Sequence, residues 1–444
     1  MCTILNLIMA CNIISDYIYS DYLNCELTIQ KGETMKDYKD ILKQNNQEHL
    51  LKYIEKASDE QREKLISQIN ELNFDLINKL YNMTINSKPI SSKEIGHLKY
   101  VDESKLEEQE YNKLFETGKE LISKGKCAVV TMAGGQGTRL GHNGPKGTFL
   151  LEVKPQPKYL FEIIVDDLKR TNKKFGTILN WYIMTSTDNN QKTVDFFEEH
   201  NYFGYPKENV MFFMQGNLPL IDEQGKLLVD ENYEIKIASD GNGSIYKSMK
   251  KNGVIDDMKK KGIEWVFVST VDNPLIQRAN PILLGLTVSE GNEIGSRSVV
   301  KKHPHEPVGV YCKKDNAPAV IEYSEISKEM AEETDENGEL IFGETNIVSH
   351  LYSVKAFDKI GENELQYHTA HKKAPFMNED GEMVYPEEPN AYKYESFIFD
   401  GFSFFDNMSI LRSKREDIFA PIKNKEGEDS PETAIKLYND YWNS

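Results

Sequence analysis

The stretch Met132-Ala133-Gly134-Gly135-Gln136-Gly137-Thr138-Arg139-Leu140-Gly141 carries four glycines, three of them around one glutamine, and Lys146 follows in Pro145-Lys146-Gly147. Glycines without a Cβ let backbone N–H groups come close to phosphate oxygens and cradle them. Arg139 inside the loop and Lys146 just beyond it add two fixed cations. That pairing suits a triphosphate whose charge must be neutralised during transfer. The run is not a dinucleotide fingerprint, because Leu140 stands where the third glycine belongs. It is not a P-loop either, because Gly147 follows Lys146 where Ser or Thr is required. A purely structural turn accounts for the glycines alone and leaves both cations unexplained.

A carboxylate comes next. Asp272 closes the apolar run 265–271 and precedes Asn273-Pro274. At the carboxyl end of a parallel strand it would lie where α/β proteins bind ligands, and it could hold Mg²⁺ directly or through water. A turn or helix-cap Asp is the alternative at such a position. No Ser-His-Asp or Cys-His arrangement is evident and the nine histidines show no metal spacing. His142 beside the loop reads as a surface residue.

The elements that must position these groups follow from periodicity. Short apolar runs at 127–132, 181–185, 210–214 and 265–271 read as buried strands, and the spans 160–174, 190–200 and 244–261 as helices. Strands alternating with helices of this length give βαβ units, hence an α/β, doubly wound fold with a mostly parallel sheet. From about 293 the pattern turns strand-rich, with Asp315-Asn316 marking a hairpin turn. Residues 36–86 predict two or three amphipathic helices, 87–94 a link, 105–124 another helix, and 431–441 a final one.

With 53 basic against 71 acidic side chains the formal charge is −18, which excludes the basic face a nucleic-acid binder uses. No run of about 18 apolar residues exists to span a membrane. Three of the five cysteines fall in the first 34 residues, leaving Cys127 and Cys312 in strand-like runs without CxxC spacing. The main body therefore reads as a reduced, cytoplasmic protein. Residues 1–34 lack the basic start of a secretory signal, their first lysine being Lys31. Lys31-Gly32-Glu33 can be encoded by a purine-rich ribosome-binding sequence, so this stretch reads as translated leader from a bacterial source, with the biological start at Met35.

AGGQGTRLG followed by PKG resembles the signature of nucleotide-sugar pyrophosphorylases, and most of all the eukaryotic-type UDP-N-acetylglucosamine pyrophosphorylases and their bacterial relatives. The resemblance continues in order through WYIMTS (181–186), YFG (202–204), ENVMFFMQGNLP (208–219), SDGNGS (239–244), VDN (271–273), EPVGV (306–310), EYSEIS (322–327), the Asn346 segment, FIFD (397–400) and FAPIKN (419–424). It implies a Rossmann-like nucleotidyltransferase domain at 125–360, after a helical N-terminal region at 35–124 and before a small C-terminal region or lid at 361–444. The resemblance also implies that Gly134, Gly135, Gln136, Gly137 and Thr138 bind the nucleotide, that Gln215 and the Gly241 backbone meet uracil, and that Asn242 lies near the sugar. Gly309, Glu322 and Asn346 are implied at the sugar, with Phe397 and Phe399 beside its N-acetyl group. Alternating aromatics on a strand are more often core. Lys423 matches the lysine that reaches the phosphates late in the chain, where a solvated lysine is the bland alternative. Departures occur at Gly141-His142-Asn143-Gly144 and at Ser239, where the family has proline.

The implied reaction joins UTP and a hexose 1-phosphate into a UDP-sugar and pyrophosphate, with Arg139, Lys146, Lys423 and Mg²⁺ neutralising charge and no protein nucleophile. N-acetylglucosamine 1-phosphate is the expected acceptor. Glucose or galactose 1-phosphate, or a broad UDP-sugar pyrophosphorylase, stand as alternatives, and a non-catalytic nucleotide-sugar sensor as a rival from another class. Retention of all the charged groups argues for turnover.

Overall fold

The computed structural model describes residues 37–86 and 95–443. The expected leader at 1–34, its start at Met35 and the link at 87–94 lie outside the described residues. The described chain forms two compact units that do not follow the sequence boundaries at 124 and 360. One takes the chain up to Ile85 with 219–236 and 371–392, and the other takes the remainder.

Among its described residues the first unit holds four helices where the periodicity predicts two or three: α1 Tyr38–Gln44, α2 Leu50–Lys56, α3 Asp59–Glu71 and α4 Phe74–Ile85. Side-chain caps set the extra breaks. Ser58 and Gln61 form a capping box at α3, and Asn73 Oδ1 accepts the Leu76 N–H at the start of α4. These helices hold the two inserted stretches through polar contacts. The buried Gln47 amide spans the Gly225 carbonyl and the Leu227 N–H, and Tyr53 donates its hydroxyl to the Met377 carbonyl.

The second unit is built on an eleven-stranded sheet. Its strands are β1 Ile95–Gly96, β2 Val101–Asp102, β3 Cys127–Met132, β4 Asn180–Thr185, β5 Val210–Met214 and β6 Trp265–Thr270. They continue with β7 Ile294–Val300, β8 Val310–Lys314, β9 Ala317–Ile321, β10 Glu344–Ser353 and β11 Ser409–Arg412. The main path runs β2-β11-β7-β10-β6-β3-β4-β5, with β8 joining β1, β9 and β10 to its side. Neighbours are parallel from β6 through β3 and β4 to β5, and again from β2 through β11 to β7, while β10 runs antiparallel to both its neighbours. Asp315 and Asn316 turn the β8–β9 hairpin with φ of 51° and 68°, the left-handed pair that a two-residue hairpin needs.

Helices cover both faces. α5 Glu108–Ser123, α6 Leu160–Phe175, α7 Asn190–Glu199, α10 Pro281–Ser289 and α12 Pro431–Asn443 pack with Val129, Trp181 and Ile183 on one side. α8 Ile245–Lys251, α9 Val254–Lys260 and α11 Val354–Gly361 pack with Ala128, Val130, Tyr182 and Met184 on the other. Alternate residues of each strand thus enter opposite cores, which explains why the strands read as unbroken apolar runs. The helix expected over 244–261 is two helices, because Gly253 at φ 71° breaks it after Asn252. α5 belongs to this unit rather than to an N-terminal helical region. It crosses α10 so closely that a Cβ on Gly118 would stand 2.0 Å from the Pro281 carbonyl oxygen.

Candidate active site

Four parallel strands, β5, β4, β3 and β6, end side by side, so the segments leaving their carboxyl ends converge on one edge. The glycine loop leaves β3. It does not run straight into a helix but folds back on itself: Gly137 N–H donates to the Gly144 carbonyl at 2.9 Å and Lys146 N–H to the Gly135 carbonyl at 3.1 Å. Short 3₁₀ turns at Thr138–Leu140 and Lys146–Thr148 complete it, and the helix begins only at Leu160. Among the described residues the N–H groups of Gly134, Gly135 and Gln136 find no protein acceptor, which leaves consecutive donors for an anion. The Gln136 side chain reaches the Asp188 carbonyl, so its share in a phosphate site is its backbone. Two residues that sequence reasoning missed brace the loop. Buried Asn189, from the segment after β4, donates to the Ala133 carbonyl at 3.0 Å. His142 is half-buried rather than a surface residue: it bonds Thr148 Oγ1 at 2.8 Å and meets the Phe149 ring edge-on.

Arg139 is exposed on the first 3₁₀ turn, and among the described residues no carboxylate pairs with it. Lys146 points to the end of β6, where its Nζ lies 2.9 Å from Asp272 Oδ2. Burial pushes the Asp272 carboxyl up, but the charge of Lys146, hydrogen bonds from Thr270 and Lys146, and the charge of Lys423 together outweigh it. The group stays below the usual carboxylate range. The turn role weighed for Asp272 falls to its neighbour: Asn273 Oδ1 accepts the Leu275 N–H.

Asn273 also explains how a lysine so late in the chain arrives here. Its buried amide donates to the Ile418 carbonyl at 2.9 Å and accepts the Ala420 N–H at 3.0 Å, while Ile422 N–H donates to the Asp272 carbonyl at 2.9 Å. The segment 418–422 is thereby fastened to the end of β6, which sets Lys423 near enough for its charge to act on Asp272. Lys423 Nζ lies 3.7 Å from Asp429.

Gln215 follows β5, and its amide donates to Ser239 Oγ at 2.7 Å. A Cβ on Gly134 would stand 2.8 Å from Gln215 Oε1, so the loop and the glutamine fit only because Gly134 has no side chain. The Gly241-Asn242-Gly243 turn is packed on the aromatic segment: a Cβ on Gly241 would reach within 2.2 Å of the Ser396 carbonyl oxygen, and Asn242 Oδ1 accepts the Ile398 N–H at 2.9 Å.

The residues expected at the sugar form a second cluster. Asn346 N–H donates to the Gly309 carbonyl at 2.9 Å, and a Cβ on Gly309 would lie 2.8 Å from Glu322 Oε1. Asn346 Oδ1 is taken by Tyr311 OH and by Val348 N–H, which leaves its Nδ2 to donate. Burial, then Glu325, raise the Glu322 carboxyl, opposed by His368, Lys423 and Lys314, so this carboxylate feels the same lysine as Asp272. Phe397 and Phe399 are not on a strand. They sit at the start of the 3₁₀ turn Ile398–Phe404, half-buried and stacked with centroids 5.1 Å apart. His368, unmarked in the sequence, lies on Phe397 at 4.7 Å and bonds Asp400 Oδ1 at 3.1 Å. Burial alone would lower its pKa; the Asp400 bond and charge, with Glu325, outweigh that and the opposing Lys314 charge, leaving it raised. Glu322, His368, Phe399 and Asp400 line one cavity of about 640 Å³.

A doubly wound sheet whose carboxyl edge carries a glycine loop, two lysines and an ionised carboxylate has the donors and charge to hold a phosphate. Comparison with known proteins gives the family. Residues 73–428 match the UTP--glucose-1-phosphate uridylyltransferase family. The chain is 37% identical to the UDP-N-acetylglucosamine pyrophosphorylase of Saccharomyces cerevisiae, over 93% of this chain and 88% of that one. It is 34% identical to the human UDP-N-acetylhexosamine pyrophosphorylase-like protein 1, over 90% and 83%. Among solved structures, the uridine diphosphate N-acetylglucosamine pyrophosphorylase from Trypanosoma brucei in complex with inhibitor superposes with a TM-score of 0.79 at 28% identity, covering 91% of this chain and 85% of that one. The chain belongs to the UTP--glucose-1-phosphate uridylyltransferase family. Among its described residues no helix is long and apolar enough to cross a membrane.

Proposed function

We propose that this protein transfers the uridylyl group of UTP to N-acetylglucosamine 1-phosphate, giving UDP-N-acetylglucosamine and pyrophosphate. The observation that carries the reading is the Lys146–Asp272 pair at 2.9 Å, with Lys423 fastened alongside, next to the unpaired amides of the glycine loop. A phosphate oxygen of the sugar phosphate forms the new bond to the α-phosphorus, the bond from that phosphorus to the bridging oxygen breaks, and pyrophosphate leaves in line. The loop amides and Arg139 hold the departing phosphates, and Lys146 and Lys423 neutralise charge that grows on the reacting oxygens. Chemistry of this kind needs positioned charge and no protein nucleophile.

Family members of this reaction class use a divalent cation, and Mg²⁺ is the ion proposed here. An ionised carboxylate offers about four acceptor sites, of which Lys146 and Thr270 take two, so Asp272 can join phosphate oxygens and water around the ion. Among the described residues no three His, Cys, Asp or Glu groups form a cage, which fits an ion shared with substrate phosphates. Bound there, the ion would polarise those phosphates.

Gln215 and Gly241 meet the base in this reading. Gly309, Glu322, Asn346 and Asn242 meet the sugar, and the stacked Phe397–Phe399 pair gives an apolar wall for an acetyl group. The cytosol is the proposed compartment, where buried Cys127 and Cys312 remain thiols. The test is pyrophosphate release with UTP and Mg²⁺, offering the 1-phosphates of N-acetylglucosamine, N-acetylgalactosamine, glucose and galactose in parallel. Preference for N-acetylglucosamine is expected. Preference for glucose or galactose would keep the reaction and overturn the sugar. Absence of turnover alongside tight UDP-sugar binding would replace the enzyme with a sensor.

A further inference from the structure

The turn that carries Phe397 and Phe399 is held unevenly. Its middle residue, Ile398, is fully buried: Tyr246 OH donates to its carbonyl at 2.7 Å, and its own N–H donates to Asn242 Oδ1 at 2.9 Å. Those bonds fix the backbone between the two phenylalanines, whose rings stay half-buried. A half-buried ring keeps one rotamer only if something stands against it.

Asp400 and His368 supply that support. Asp400 Oδ2 accepts the Phe397 N–H at 2.7 Å, and the same carboxyl group meets His368 Nε2 at 3.1 and 3.2 Å. A carboxyl group and an imidazole share one proton whichever of them holds it, and a turned imidazole would put a carbon where Nε2 now stands. The contact therefore fixes the ring however the proton is placed. So held, His368 lies on Phe397 with centroids 4.7 Å apart, and Phe397 on Phe399 at 5.1 Å, both within the range of attractive aromatic pairs. One side chain thus grips the backbone of Phe397 and also the ring that rests on it. Phe399, His368 and Asp400 line the same cavity as Glu322.

We propose that His368 and Asp400 are positioning residues that hold the Phe397–Phe399 pair as a wall for an N-acetyl group, and thereby set the preference for an N-acetylated over a plain hexose 1-phosphate. It rests on the reading that this pair meets the acetyl group. The full chain is assayed at saturating UTP for kcat/KM with N-acetylglucosamine 1-phosphate and with glucose 1-phosphate, and separately for the KM of UTP. His368→Leu fills the place of the ring but cannot bond Asp400. It should lower the N-acetyl-over-glucose ratio by about three- to tenfold, the worth of one net hydrogen bond. The loss should fall on the N-acetyl substrate, with kcat/KM for glucose 1-phosphate and the KM of UTP unchanged. Asp400→Ala frees both the Phe397 N–H and the imidazole and should lower the ratio at least as far. His368→Leu leaves the Asp400 cap in place and carries the test if melting curves show Asp400→Ala unfolded. Phe399→Ala separates the two layers. If the parent shows no N-acetyl preference, or Phe399→Ala leaves it intact, the wall reading fails and takes the proposal with it. If Phe399→Ala abolishes the preference while His368→Leu keeps it, or if His368→Leu weakens both sugar phosphates equally, the positioning role alone is overturned.

Discussion

At the proposed phosphate end of the site, Lys146, Asp272 and Lys423 are brought together by charge and by backbone bonds around the end of one strand. At the proposed sugar end, Glu322, Asn346 and the Phe397–Phe399 pair come from three separated stretches and are fitted by packing around Gly309 and His368. Coulomb attraction acts over several ångströms and tolerates small errors of placement. Hydrogen bonds to ring hydroxyls and an apolar wall are directional and short, so the second end should govern which sugar is taken and the first how fast it reacts.

The largest effect that follows is on Lys146. Lys146→Ala should lower kcat by about a hundred- to a thousandfold, the cost of one preorganised charge or donor at a reacting oxygen. Glu322→Ala should act mainly on the KM for the sugar phosphate. Steady-state kinetics of both variants break the contrast if the two change the same parameter.

A smaller loss is expected where the phosphate end depends on packing. Asn273→Ala leaves the Ile418 carbonyl and the Ala420 N–H without their partner. About 2–3 kcal/mol of stability should go, by the usual cost of unsatisfied buried groups. The release of Lys423 should lower kcat while the KM for the sugar phosphate holds. Urea unfolding and kinetics together check it.

Two carboxylates sharpen the comparison through pH. Asp272 is held down, whereas Asp240, beside Gly216, is raised to about 6 by burial, against the hydrogen bond of Ser244 and the charges of Lys247 and Lys393. A raised carboxyl stabilises the fold fully below its unfolded value near 4, and that stability is lost as pH rises through about 6. Asp240→Asn, neutral throughout, should therefore be more stable than the parent above pH 6, by about 1–2 kcal/mol after allowing for solvent screening. The gap should close below about pH 4, as melting curves across that range would show. Asp272 has the opposite sign: its contribution is present above the ordinary carboxylate pKa and lost as pH falls, and Asp272→Asn should flatten that acid limb.

Least of all should come from the first unit's surface. Lys64→Ala removes an exposed pair with Glu234 and should change neither kinetics nor melting measurably.

Much of the phosphate end was legible. Glycines, Arg139 and Lys146 stand within one short segment, and an Asp closing an apolar run announces a strand end. The Asp315-Asn316 hairpin was equally plain, since few pairs tolerate two left-handed residues. The break between α8 and α9 had a signal too, Asn252-Gly253 inside a helical pattern. Asn189 and His368 had none, and Asn273 showed only as part of the VDN block, because each acts through partners more than thirty residues away. Ser239 showed only as a departure from the family's proline; its bond to Gln215 appears once β5 and the following turn are folded together.

By itself, the sequence determined the doubly wound strand pattern, the glycine loop with its cations and the family, because these rest on local periodicity, backbone freedom and ordered motifs. Tertiary structure alone decided that Asn273 fastens the Lys423 segment beside Asp272, that Phe397 and Phe399 stack outside any strand, and that Ser239 holds Gln215. Those outcomes depend on hydrogen bonds and van der Waals contacts of a few ångströms between distant segments, and such contacts exist only after the chain has closed on itself.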